Sequence, residues 1–348
     1  SADAELGNGP ASYVVIAHPD FIGATLDRLV NLRVSQGYTV KVVDVEDVYA
    51  HFGYGQFDPL AIKDFIAYAY HHLDTRMVLL VGGDTYDYFN YRKLNAKSFI
   101  PSLYGQTGPT VFFAPVDPKY ADVDNDSIPD LAIGRLPVRT SQELDAVINN
   151  TLTYANASPA YGQKAVFAAD VSSDAEGYCL GEGDKGKFKC DAEAMIARLP
   201  ALWQETVSRA YLSDLGVAAA KSALLSSLNG GVALTSYVGH SAVTTWTNSG
   251  LFNGNDAVGL LNAGKPTVVT QWGCWNTYYA SPTQDSLGHR FMLNGNKGAA
   301  AVLGASTVTL AGHERQMALL TYDQLFQSAA PISLGEAVLL AKRNYGAI

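Results

Sequence analysis

The sequence predicts an α/β protein with mostly parallel sheets, arranged as two consecutive αβα units, and three observations lead there. Short apolar runs rich in β-branched residues alternate with longer amphipathic segments along the chain. Those runs are apolar on both faces, as strands covered by helices on each side must be. The 348 residues exceed the usual size of one domain, and after a Pro/Gly/Ser break, "ASPAYGQ" at 157–163, the alternation begins again. The boundary is therefore drawn after residue 157, giving units 1–157 and 158–348.

Taken in order, "YVVIA" (13–17) reads as a strand, "DFIGATLDRLVNLRVSQG" (20–37) as an amphipathic helix stopped by Gly37, and "YTVKVVDV" (38–45) as a second strand. "PLAIKDFIAYAYHHL" (59–73) reads as a helix ending on His71 and His72, where cationic side chains suit the helix dipole. "MVLLVGGD" (77–84) is a strand, and its two glycines mark a tight turn, since the rest of a phosphate-binding fingerprint is missing. Residues 85–106, rich in Tyr and Asn, read as loop; strand "LAIGRLP" (131–137) and helix "SQELDAVINNTLTYAN" (141–156) complete the half. The second half runs strand "KAVFAAD" (164–170), helix "CDAEAMIARLP" (190–200), segment "ETVSRAYLS" (205–213) and a helix through "AAAKSALLSSLNGG" (218–231). Strands "VALTSYVG" (232–239) and "PTVVTQWG" (266–273), helix "SLGHRFML" (286–293), strand "GAAAVLGAS" (298–306) and two helices follow, the first starting near "AGHER".

Composition narrows the partners. With 48% hydrophobic and 16% charged residues the chain has enough apolar surface to bury and is not a disordered one. A net charge of -9 without a basic patch gives no footprint for nucleic acid or an anionic bilayer. No apolar run reaches the roughly 18 to 20 residues of a membrane span. The opening "SADAELGNGPAS" has neither the basic start nor the apolar core of an export signal. Cys179 and Cys190 lie in a glycine-rich stretch, "YCLGEGDKGKFKC", as a local disulfide or as two free thiols, and no C-x-x-C spacing suggests a cysteine-bound metal.

The chemistry concentrates in "SYVGHSAVTTW" (236–246) and "TVVTQWGCWNTYY" (267–279), where two apolar runs stop at His240 and Cys274. Functional side chains in parallel sheets gather beyond the carboxyl ends of the strands. An imidazole near a thiol can take its proton and make it a nucleophile. Gly239 and Gly273, just before the two residues, remove Cβ bulk where backbone N–H groups could stabilise an oxyanion. The alternative is a buried apolar thiol and a hydrogen-bonded loop histidine.

These two segments resemble the histidine and cysteine segments of the gingipain-like cysteine peptidases, peptidase family C25 of the caspase-like clan. "VLLVGGDTYDY" and "YADVDNDSIPDLAIGRLPVRTSQEL" resemble further stretches of that family, so that the likeness extends from about residue 13 to 345. It implies a caspase-like catalytic unit with His240 and Cys274 as dyad and an oxyanion hole from N–H groups at Gly239 and Cys274. It further implies Glu176 as the carboxylate assisting His240, with a solvated loop carboxylate as the alternative; at the position of the family's acidic reader of a basic substrate side chain an ungapped match puts Lys189, which would favour acidic or polar substrates, and a small shift puts Asp184 or Asp191, which would favour arginine or lysine. Ser241 and Trp275 depart from the family pattern and alter the shape of the pocket. The expectation is a secreted, bacterial-type endopeptidase acting on proteins or peptides through a thioacyl intermediate, without organic cofactor. A catalytically inactive binding or adhesion module, and a transpeptidase using the same dyad, are the alternatives.

A last motif is "DVDNDSIPD" (122–130). Asp122, Asp124, Asp126 and Asp130, with the Ile128 carbonyl, follow the first nine positions of a calcium loop. Ser127 stands in place of the expected glycine, and Ile133 in place of the final glutamate, which excludes a helix-flanked sensor. A structural Ca²⁺ staple and a solvated acidic turn are the two readings.

Overall fold

The computed structural model describes residue 6 and residues 9–157, 161–172 and 187–346. The chain packs as two compact units. The first comprises residues up to Ile148, Tyr279–Thr283 and the chain from Ile332 on; the second comprises Asn149–Tyr278 and Gln284–Pro331.

The first unit runs β1 (Tyr13–Ala17), α1 (Ala24–Ser35), β2 (Val40–Asp44), α2 (Val45–Phe52), α3 (Pro59–His72), β3 (Met77–Val81), β4 (Ala132–Leu136) and the start of α4 (Ser141–Ala155). Its sheet is wholly parallel, in the order β2-β1-β3-β4. β1 and β3 are buried along their whole length, as their unbroken apolar runs require. Val14, Ile16, Val78 and Leu80 pack with Ile62, Phe65 and Ile66 of α3. The second predicted strand is shorter than its apolar run, because Asp44 ends it as a helix cap. Its carboxylate accepts the Glu46 N–H at 2.9 Å and starts α2, a helix hidden in a strand-like sequence. Asp58 caps α3 in the same way, with Pro59 at the first helical position.

The second unit runs β5 (Ala165–Ala169), α5 (Phe188–Ile196), α6 (Ala201–Thr206), β6 (Ser208–Tyr211), α7 (Leu212–Gly230), β7 (Leu234–Val238), α8 (Gly254–Val258), β8 (Thr267–Trp272), α9 (Leu287–Met292), β9 (Ala299–Leu303) and α10 (Ala311–Gln327); α11 (Leu334–Gly346) belongs to the first unit. Its sheet is parallel too, in the order β9-β8-β7-β5-β6. β5 alternates across the sheet. Val166 and Ala168 join a core with Leu224, Tyr237 and Phe291, whereas Phe167 and Ala169 join another with Met195, Ile196 and Tyr322. The unit break falls inside α4 rather than after it. The later turns of that helix are tied down by Asn150, whose amide donates to the Gly295 and Lys297 carbonyls, and by Tyr154, whose hydroxyl donates to Ala233 O.

Candidate active site

β7 and β8 are neighbours in register, with Val238 opposite Trp272 on the last rung. His240 and Cys274 each stand two residues beyond that rung, so equal steps along adjacent strands, about 4.8 Å apart, deliver them to the same carboxyl rim. The two turns are interlocked. Gly239 N–H donates to Trp272 O at 3.0 Å, and the Ser241 hydroxyl donates to Cys274 O at 2.8 Å. A Cβ at Gly273 would collide with the Gly239 carbonyl and the Ser241 hydroxyl. One at Gly239, where φ is +147°, would collide with Asp170. The paired glycines are thus required by the close approach of the two turns.

The buried Asn276 fixes the cysteine turn, donating from one amide to Gly273 O at 2.9 Å and to Ser241 Oγ at 3.2 Å. Trp275 sits in the left-handed region at φ +60°, unusual for a bulky residue, and is held there by its N–H to Thr307 O at 2.9 Å. After His240 the chain forms a small antiparallel sheet, 241–242 with 245–246 and 252–253, that the sequence did not announce. Trp246 anchors it, stacked on Tyr237 at 4.6 Å and donating to Gln271 Oε1 at 2.6 Å.

Cys274 is a free, half-buried thiol. Its sulfur accepts the Thr309 N–H at 3.4 Å and lies 3.4 Å from Thr309 Oγ1, which in turn is 2.5 Å from Glu314 Oε1. Burial, with Asp191 nearby, pushes the Glu314 carboxyl up to about 7. His240 is exposed, with its ring edge-on to Phe188 at 5.2 Å. Its carbonyl accepts the Tyr237 hydroxyl at 2.5 Å and its N–H donates to Asp170 Oδ2 at 3.3 Å. Asp170, buried just past β5, therefore brings a third strand end to the rim.

The remaining sequence-predicted residues divide. Glu176, Asp184 and Cys179 lie outside the described residues. Cys190 is disulfide-bonded. Lys189 pairs with Asp214 at 2.7 Å, and Asp191, almost fully buried, pairs with Arg315 at 2.7 Å, so both charges are answered within the protein. The oxyanion role expected of Gly239 is corrected: its single N–H is committed to the Trp272 carbonyl in the sheet. Sequence reasoning passed over Asp170, Asn276, Thr309 and Glu314. Asp170 ends the run "KAVFAAD" and the strand-end rule applied to His240 would have found it; the contact of Thr309 with the thiol is tertiary and carries no local signal.

In the acidic loop, Asp122, Asp124 and Asp130 each offer a carboxylate oxygen within 4.8 Å of the others. Asp126 does not join them; its carboxylate accepts the Ile128 N–H at 2.7 Å. Asp122 Oδ2 accepts the Ser127 N–H at 3.2 Å, while its Oδ1 is buried without a hydrogen-bond partner. Ser127 takes φ +75° at the position where calcium loops use glycine. Three converging carboxylates with one unanswered buried oxygen fit a hard divalent cation.

Comparison with known proteins gives the class. The fold is similar to that of the Arg-specific cysteine proteinase gingipain R (RGPB), with TM-score 0.75 and 18% identity over 96% of this chain and 72% of that one. The complex of Porphyromonas gingivalis RgpB pro- and mature domains matches at TM-score 0.74 and 18% identity over 96% and 73%, and a structure described simply as a protease at 0.72 and 18% over 98% and 74%. The sequence model of peptidase family C25 matches residues 7–347, and the chain belongs to that family. It is a cysteine-type endopeptidase with the caspase-like α/β fold. A search of curated protein sequences finds no match.

Proposed function

We propose that the protein is a secreted endopeptidase that cleaves proteins or peptides with Cys274 as nucleophile and His240 as general acid/base. The observation that supports this most is the shared register, which carries both residues equal steps past one rung of β7 and β8. In this reading His240 takes the Cys274 proton as the sulfur attacks the scissile carbonyl, and the Cys274 N–H donates to the developing oxyanion. The tetrahedral species collapses as His240 returns the proton to the leaving amine, and water, activated by the same imidazole, hydrolyses the thioester. Asp170 holds the His240 backbone, and Asn276 and Ser241 hold the cysteine turn. The disulfide at Cys190 supports an oxidising, extracytoplasmic setting. The decisive experiment is labelling with a peptide-like electrophile: one mass adduct on Cys274, and loss of peptide cleavage in Cys274→Ala, supports the reading, whereas cleavage surviving in that variant ends it. Product masses with added amino acids separate hydrolysis from transfer to an amine.

We also propose a structural Ca²⁺ held by Asp122, Asp124 and Asp130, stapling the loop before β4. The support is the converging carboxylates and the unpartnered Asp122 Oδ1. An unchanged melting temperature on addition of Ca²⁺ or chelator would show a plain acidic turn.

A further inference from the structure

Cys274 has a second line of polar neighbours that does not pass through His240. Thr309, in the loop after β9, presents both its N–H and its hydroxyl to the sulfur. Glu314, in the first turn of α10, reaches back to the same hydroxyl at 2.5 Å. A hydroxyl has one proton to give. When Glu314 is ionised that proton goes to the carboxylate, and Thr309 Oγ1 can only accept from the thiol S–H. When Glu314 is protonated, the acid donates to Thr309 Oγ1, and the hydroxyl proton is free to point at a thiolate. The direction of the Thr309 hydrogen bond therefore follows the charge on Glu314. That charge also opposes an anion on sulfur directly.

The surroundings set which form prevails. Asp191 faces Glu314 from α5, with Arg315 of α10 paired to Asp191; Cys274 approaches from the end of β8. The Tyr237 phenol of β7 lies within the field of Glu314, Cys274 and Asp170, and burial holds it protonated. Burial first and Asp191 second disfavour the ionised Glu314 and place its titration near neutral pH.

We propose that Glu314, acting through the Thr309 hydroxyl, is a positioning residue for Cys274: neutral Glu314 turns Thr309 into a hydrogen-bond donor to the sulfur and stabilises the thiolate, and ionised Glu314 withdraws that donor. This rests on Cys274 being the nucleophile. Only protons move, from carboxylic acid to solvent and from one side of the Thr309 oxygen to the other.

The test is the rate of iodoacetamide alkylation of Cys274, the free thiol, in the intact folded protein from pH 5 to 9. Wild type, Glu314→Gln, Thr309→Val and Thr309→Ser are compared, with the thermal melt of each as the folding control. Gln keeps the donor without the charge, so Glu314→Gln is expected to react about tenfold faster than wild type at pH 8. Its profile should lack the inflection near pH 7. In Thr309→Val the gain from Glu314→Gln disappears, and Thr309→Ser behaves as wild type. Superposable profiles for wild type and Glu314→Gln overturn the proposal. Because alkylation reads the thiol and not turnover, this failure is distinct from that of the catalytic reading, which is decided by whether Cys274→Ala still cleaves peptides.

Discussion

The two units are built on the same plan, a parallel sheet with reactive side chains just past its strand ends, yet only one of them leaves those side chains available. In the first unit, the buried Asp84 after β3 accepts from Thr85 N–H, Ser98 Oγ, Ser102 N–H and the Tyr104 hydroxyl. Arg135 of β4 grips both oxygens of Asp117 at 2.7 and 2.9 Å and also donates to the carbonyls of Gly82, Ile100 and Pro101. His18, after β1, is buried, and its Nδ1 accepts the Asp20 N–H. Every one of these groups is committed to holding loops. In the second unit the imidazole is exposed, the thiol is half-buried, and a carboxyl titrating near 7 stands one hydroxyl away. Topology supplies a rim in both; the satisfaction of its polar groups decides whether the rim is a brace or a reactive site.

The largest expected effect sharpens this contrast. Cys274→Ala is expected to abolish peptide cleavage with the melting temperature within a few degrees of wild type, and His240→Ala to lower kcat/KM on the order of 100- to 10,000-fold. Arg135→Met should do the reverse. Leaving the half-buried Asp117 without its partner is expected to cost about 3 kcal/mol, read by urea denaturation, with the alkylation rate of Cys274 in the folded fraction unchanged. Gly239→Ala tests the interlocked turns and should lower both stability and cleavage, since the new Cβ meets Asp170 in a backbone conformation that favours glycine.

The smallest effect concerns pH. The folded-state value of Glu314 is raised to about 7 from 4.5, so the stability tied to its protonated form is fully present below about pH 4.5 and is lost as pH rises through 7. Relative to Glu314→Gln, the wild type should therefore lose stability across that window, by on the order of 3 kcal/mol, with no further change above it.

Most of this architecture was legible in the sequence, because parallel strands buried on both faces appear as unbroken apolar runs. β1, β3, β5, β7 and β8 all fall within runs identified that way. α2 was hidden because Val45 was read as the end of the strand at 38–45, and only the Asp44 cap turns the chain into a helix there. His240 and Cys274 were visible because each ends such a run. Thr309 and Glu314 were not, because their approach to the sulfur depends on how the loop after β9 returns to β8, a relation between segments some 35 residues apart that no local pattern encodes. The Gly239 N–H shows the opposite error, a donor assigned from position alone and already used by the strand beside it.

The central claim is that the strand register delivers an imidazole and a thiol to one working site. Stoichiometric labelling of Cys274 by a peptidyl electrophile, compared between wild type and His240→Ala by intact-protein mass, tests it most directly. A single adduct is expected in wild type, forming at least 100-fold more slowly without the histidine. Equal labelling rates in the two proteins, or peptide cleavage with no adduct at Cys274, would contradict it.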